Sequence, residues 1–229
     1  MIEEPKRLRI ARDLRRPTDA QIAAFADMPT GFVADAMWGI GAMGGGIAPL
    51  PGLPYRVHGP ALTAGNRPGD LLATLAAIHF VRLGDVVVAE AQGFLGCAAA
   101  GDRAMGMLAN RGAAGFVTDG PLRDLDGLQL VGLPVWGRGL SPNSPVARGP
   151  GTVGLPVTVG GVRVGTGDMI VADRDGVVVV PFADLDPVIG RLKLVAAAEL
   201  ALDAEVAAGR AEIDLVSRLI AEGDEVEWV

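Results

Sequence analysis

The sequence predicts an α/β chain, a layered sandwich in which a mixed sheet is covered by helices. Three observations carry this expectation. Capped helical segments alternate with short β-branched runs through the first two thirds of the chain. At residues 154–181 the alternation gives way to hairpin signals, so parallel and antiparallel strands must share the sheet. Half of the 229 residues are hydrophobic, enough for one sizeable core, and no linker divides them. Strict βαβα repetition is absent, which argues against a pure doubly wound fold. The expectation is a single domain over residues 1–229, with N-terminal helices and a C-terminal helical extension from about residue 182.

Each element has a local cause. Thr18 and Gln21 have capping-box spacing and open a helix to Asp27, and Thr30 is placed to cap a second helix through Trp38. Residues 39–54 are rich in glycine and proline and read as a long loop. A strand over Gly59–Ala64 follows, then a helix from Pro68-Gly69-Asp70 to Arg82 and a buried strand over Asp85–Ala89. A helix from Asp102 ends at Gly112, and Gly115–Thr118 is a strand closed by the turn Asp119-Gly120-Pro121. A short helix from Asp124 leads to a strand over Pro134–Arg138. Residues 157–164 form a hairpin about Gly160-Gly161, and Met169–Ala172 and Val177–Val180 flank a turn. Phe182–Gly209 and Ala211–Ala221 are helical.

Composition excludes several functions. Twenty lysines and arginines against 27 acids give a net charge of −7, which leaves no basic stripe for nucleic acid. A small anion needs only a few local arginines and stays open. The N-terminal residues lack an apolar signal core, and no run approaches the roughly 18–20 apolar residues of a membrane span. A soluble, cytoplasmic protein is expected. The single cysteine, Cys97, lies among small residues and reads as a buried hydrophobe.

Gly39-Ile40-Gly41-Ala42-Met43-Gly44 matches G-x-G-x-x-G, but a helix precedes it and Gly45–Pro49 cannot start one. The nucleotide fingerprint needs the opposite order, so nucleotide binding is rejected. The residues that carry chemistry are Gly101-Asp102-Arg103-Ala104 and, after a gap of twenty residues from Arg103 to Leu122, Arg123-Asp124. Asp102 is placed as a helix N-cap, and the amides of Arg103 and Ala104 at that helix start suit a carboxylate or an oxyanion. Asp102 and Asp124 are hard oxygen ligands for Mg²⁺ or Mn²⁺, and Arg123 can grip a carboxylate with both nitrogens. The same residues also read as a helix cap and a surface ion pair, and local sequence alone leaves both readings open.

The ordered set Asp102, Gly112, Gly115, Val117, Asp119, Gly120, Arg123 and Asp124 resembles the signature of the RraA-like / 4-hydroxy-4-methyl-2-oxoglutarate (HMG/CHA) aldolase family. The similarity continues through Gly132–Gly139, Val164–Asp168 and Ala172–Pro181. The resemblance implies a fold like the phosphohistidine swivelling domain. It implies a divalent-metal-dependent (class II) lyase that cleaves a 2-oxo acid to pyruvate, with oxaloacetate decarboxylation as a side activity. It further implies Asp124 as direct metal ligand, Asp102 acting through water, and Glu199 from a neighbouring subunit's C-terminal helix. Gly101, Arg103, Ala104 and Arg123 would bind substrate, and Arg123 and Asp102 would be catalytic. Trimers or hexamers with active sites between subunits are implied too. Family members often carry histidine where this chain has Leu75, with His79 one turn later, and two leucines where it has Arg103-Ala104. Non-catalytic RraA-like regulators share the fold but generally lack the aspartate after the arginine. A pathway-specific lyase or hydratase on the same metal site is a further alternative.

Overall fold

The computed structural model describes residues 4–44 and 46–229, and the chain divides into two compact units, one reaching to Leu192 and one over Lys193–Val229. The first begins with β1 (Leu8–Ile10), α1 (Asp19–Ala23), α2 (Thr30–Ala36), β2 (Ala48–Pro49), β3 (Val57–Gly65) and α3 (Leu72–Ala77). Next come β4 (Val86–Glu90), α4 (Asp102–Asn110), β5 (Gly115–Thr118), α5 (Leu125–Val131), β6 (Val135–Gly137) and β7 (Gly151–Val153). The strands β8 (Val157–Val159), β9 (Val162–Val164), β10 (Met169–Ala172) and β11 (Val177–Val180) follow. Helix α6 covers Leu185–Ala207 and α7 covers Asp214–Glu222.

The sheet is mixed, as the change of pattern at residue 154 requires. Strands β3, β4, β5 and β6 are parallel neighbours, with Ala61 opposite Val86 and Val87 opposite Phe116. Strand β2 closes one edge antiparallel to β6, and β7 lies antiparallel to β3 with β1 parallel outside it. Strand β3 is shared: Val57–Pro60 pairs antiparallel with β10, and Ala61–Gly65 pairs with β4.

The two faces of this sheet make two cores by simple alternation. Val87 and Ala89 of β4 join Phe116 and Val135 beneath α3, α4 and α5, packed on Ala77, Met105 and Leu128. Val86 and Val88 join Val117 and Trp136 on the other face, against Val159, Val164, Ile170 and Val179. A one-residue slip of β4 would exchange the faces, so both cores fix its register. Gly160 and Gly161 both have positive φ (58° and 80°), which a tight two-residue turn between β8 and β9 requires.

Several boundaries differ from expectation. The capping box is present, with Thr18 and Gln21 bonding reciprocally, but α1 stops at Ala23 and the chain turns at Asp27 with φ 59°. Thr30 is the first helical residue of α2 and not its cap. Its amide and hydroxyl donate to the Asp173 carboxylate at 2.9 and 2.7 Å, a partner 143 residues away. The helix after Asp70 ends at Ala77, and a single 3₁₀ turn over Ile78–Phe80 follows. In the Gly39–Gly44 stretch, Gly41 lies where a Cβ would sit 2.7 Å from the Val179 carbonyl, so this glycine serves close packing on β11. Gly45 lies outside the described residues.

The smaller unit contains the exposed residues Leu194 and Leu200 on α6 and Leu215 on α7. Arg210 pairs with Glu205 and, at 2.9 Å, with Asp214 at the start of α7. Among the described residues no helix is long and apolar enough to cross a membrane.

Candidate active site

The four parallel strands end on one edge of the sheet, the place where open α/β sheets usually bind ligands. There the connections after β4 and β5 run side by side. Ala99 donates to the Pro121 carbonyl at 2.7 Å, and Arg123 to the Ala100 carbonyl at 3.2 Å. Leu122 bridges Ala100 on one side and Leu140 on the other, and Ala98 donates to the Asn143 carbonyl. The base of this arrangement is held by buried Asp119, whose carboxylate accepts from the Ala91 and Gly93 amides at 2.6 and 2.8 Å. Three short extended strips thereby bring Asp102, Arg123-Asp124 and Ser144 to one cleft of about 160 Å³.

Asp124 precedes α5 in the left-handed conformation, φ 64° and ψ 48°, and its side chain makes no capping bond. Aspartate tolerates this region better than most residues. Its carboxylate instead lies 3.2 Å from Arg123 Nε. A Cβ at Gly101 would sit 2.6 Å from Asp124 Oδ2 and 3.0 Å from Arg123 Cγ, so only glycine lets this pair close on the start of α4. Arg123 Nη1 also meets the Ser144 hydroxyl. Asp102 faces Gly127 of α5, where a Cβ would come within 2.4 Å of Oδ2. Leu71, Leu75 and Met107 add an apolar part to the lining.

The expected site residues fall in two groups. Gly101, Asp102, Arg103, Ala104, Arg123 and Asp124 all line the cleft. Two details change. The N-cap of α4 is Gly101, and Asp102 is the first helical residue; its Oδ1 accepts from the Arg103 amide at 2.7 Å. That amide is therefore engaged already, which leaves the Ala104 amide as the one of the pair without such a contact. Glu199 stands on α6 in the smaller unit. Leu75 lines the cleft, while His79 sits exposed on the 3₁₀ turn and is absent from the lining. Ser144 also lines the cleft, and nothing in the local sequence singles it out. It lies in a Pro/Ser loop whose position depends on pairing with the strips beside it. Cys97 is buried, and burial pushes its thiol up, away from thiolate chemistry.

Residues 30–179 match the family model described as RraA-like, Aldolase/RraA. The chain belongs to the Aldolase/RraA family. A relative from Halalkalibacterium halodurans, described as "Putative 4-hydroxy-4-methyl-2-oxoglutarate aldolase", is 37% identical over 172 residues, 75% of this chain and 81% of the relative. The crystal structure of an uncharacterized protein from Pseudomonas syringae superposes with TM-score 0.74 at 26% identity, covering 86% of this chain and 96% of the other. Streptomyces coelicolor RraAS2, described as an unusual member of the RNase ES inhibitor RraA protein family, gives 0.69 at 29% identity, covering 86% and 99%.

The donor set of this Aldolase/RraA cleft fits a hard divalent cation. Two carboxylates open onto one cleft lined by no histidine or cysteine, which suits a partly hydrated Mg²⁺ or Mn²⁺. Among the described residues no third His, Cys, Asp or Glu completes a cluster with them.

Proposed function

We propose that the protein is a divalent-metal-dependent lyase that cleaves 4-hydroxy-2-oxo acids of the 4-hydroxy-4-methyl-2-oxoglutarate type to pyruvate. The single observation that carries the reading is the convergence of Asp102, Arg123 and Asp124 on one cleft, with Gly101 shaped to admit them. The description of the H. halodurans relative supports the same chemistry.

Arg123 would hold the substrate carboxylate, assisted by the Ala104 amide at the start of α4. The C3–C4 bond then breaks, its electron pair passing through C3 to the C2 carbonyl oxygen as an enolate, while the C4 hydroxyl loses its proton and becomes a carbonyl. Arg123 offsets the enolate charge in a site partly shielded from water. Asp102, which forms no salt bridge among the described residues, is the carboxylate available to take the hydroxyl proton through a water. Protonation of the enolate at C3 releases pyruvate. Mg²⁺ or Mn²⁺, held by Asp124 with Asp102 in its hydration shell, would supply Lewis-acid polarisation of the keto group. Loss of CO₂ from oxaloacetate yields the same enolate, so decarboxylation belongs to this proposal. So do a trimer or hexamer in a cytoplasmic setting, and a contribution of Glu199 to a neighbour's site.

The test is pyruvate release from 4-hydroxy-4-methyl-2-oxoglutarate and from oxaloacetate, with and without Mg²⁺. Metal-dependent release from both is expected, and no release under either condition would overturn the reading. The likeness to RraAS2 favours one second reading, a non-catalytic regulator, which that negative outcome would select.

A further inference from the structure

A second cavity opens on the same edge of the sheet, beyond the ends of β3 and β4. Its volume is about 300 Å³, larger than the 160 Å³ cleft, and the two share no lining residue. Lys6, Arg9 and Arg67 line it together with Glu90 and Gln92. Among the described residues none of these three cations forms an ion pair with an acid. Three cations converge here in a chain of net charge −7. All three are exposed, so water screens their mutual repulsion, and together they form a local positive patch that attracts a small anion.

Glu90 ends β4 and lines the same cavity. One oxygen, Oε1, accepts from the Thr158 amide at 3.1 Å, and Oε2 has no donor among the described residues. Partial burial, which is opposed by the Thr158 bond and reinforced by nearby Asp119, pushes this carboxyl above its ordinary range. None of the three cations forms an ion pair with Glu90, so the cations and the acid are separate features of the lining. Beside Glu90, Gln92 holds φ 54°, a conformation side chains seldom adopt and one that recurs at ligand sites. Its loop is fixed by the Asp119 carboxylate through Ala91 and Gly93.

We propose that this cavity is a second binding site, for a small hydroxycarboxylate whose carboxylate groups meet Arg9, Arg67 and Lys6 while its hydroxyl donates to Glu90 Oε2. The ligand combines carboxylates with a hydroxyl because the lining combines three cations with an acid that is not paired to them. A plain anion would satisfy the cations and leave the Glu90 oxygen without a donor. A neutral polyol would do the reverse.

Isothermal titration of the full chain with L-malate and with succinate, which lacks the hydroxyl, tests this. In the Arg123→Ala variant, whose first cleft lacks its carboxylate clamp, malate is expected still to saturate one site and to bind about tenfold tighter than succinate. Arg67→Ala and Arg9→Ala should each weaken malate by about tenfold, the scale of one charge-assisted contact. Glu90→Gln should narrow the gap between malate and succinate. Arg163→Ala, an exposed arginine outside the cavity, should leave that malate binding unchanged. Absence of saturable binding would overturn the proposal. So would loss of binding with Arg123→Ala but not with Arg67→Ala, which would put malate in the first cleft. Equal weakening by Arg163→Ala would reduce the effect to bulk charge.

Discussion

Two sets of acids sit along this sheet edge, and they are used in opposite ways. Asp70 and Asp119 are buried, and each carboxylate is consumed by backbone amides: Asp70 accepts from Leu72, Arg148 and Gly149 at 2.7–2.8 Å. Asp102 and Asp124 stand in the cleft with almost no backbone partners. Among the described residues, Asp102 accepts from one neighbouring amide, and the Asp124 carboxylate pairs with the Arg123 side chain alone. The first set spends its lone pairs on holding loops in place. The second keeps them for something that is not part of the chain. An acid that caps a helix or staples a loop is poorly placed to serve a ligand, and in this protein the two duties fall to different residues.

Removing a cleft residue should separate activity from stability most sharply. Arg123→Ala is expected to lower pyruvate release by at least about 10²–10³-fold, the scale of one lost charge-stabilising donor, with thermal midpoint nearly unchanged. A variant that unfolds in proportion to its lost activity would erase the distinction. Asp70→Asn should do the reverse, costing about 2–3 kcal/mol of stability, because buried amide donors then face a neutral group that answers fewer of them. Denaturant unfolding measures this. Burial raises the Asp70 carboxyl, but the three backbone bonds and the Arg7 charge outweigh it and hold Asp70 below its ordinary value. Its contribution is therefore present above the unfolded carboxylate range, near pH 4, and is lost as pH falls through the depressed folded value. Asp70→Asn should flatten that acid limb of the stability profile.

Gly101→Ala probes the border between the two sets. The new Cβ would fall 2.6 Å from Asp124 Oδ2, so the ion pair must shift, and turnover should drop about tenfold or more while the fold persists. Steady-state kinetics beside circular dichroism would show whether displacement alone is sufficient. The smallest effect belongs to Glu90→Gln. A raised folded value means that Glu90 favours the folded state only below its unfolded value and weakens it as pH rises through the folded one. The variant should therefore gain slightly in thermal midpoint at pH 7 and gain nothing near pH 4.

Much of this was legible in the chain itself, for local reasons. Strands β5, β10 and β11 fall on the residues expected, because each is an apolar run bounded by glycine or aspartate that leaves the backbone one choice. The spacing of Asp102 from Arg123-Asp124 pointed to one cleft, and the three residues share it. What escaped was set by distant partners. Strands β1 and β7 have three residues each and exist because they pair, Leu8 with Gly151, across more than half the chain. Thr30 looks like a cap until Asp173 supplies the acceptor. The left-handed backbone of Asp124 and the arrival of Ser144 likewise depend on three strips meeting, which no single segment encodes.

The divided loyalty of β3 has a consequence for how the chain acquires its shape. Its first half cannot pair until β10 exists, and Pro60 meets Met169 only after more than a hundred intervening residues. During synthesis or refolding, Val57–Pro60 therefore waits as an open template while Ala61–Gly65 can already pair with β4. Such late closure slows folding and leaves a strand edge open to other chains. Pulse-labelled hydrogen exchange during refolding should find the amides of Val86–Ala89 protected well before those of Met169–Ala172. Simultaneous protection would show that the two halves of β3 close in one step.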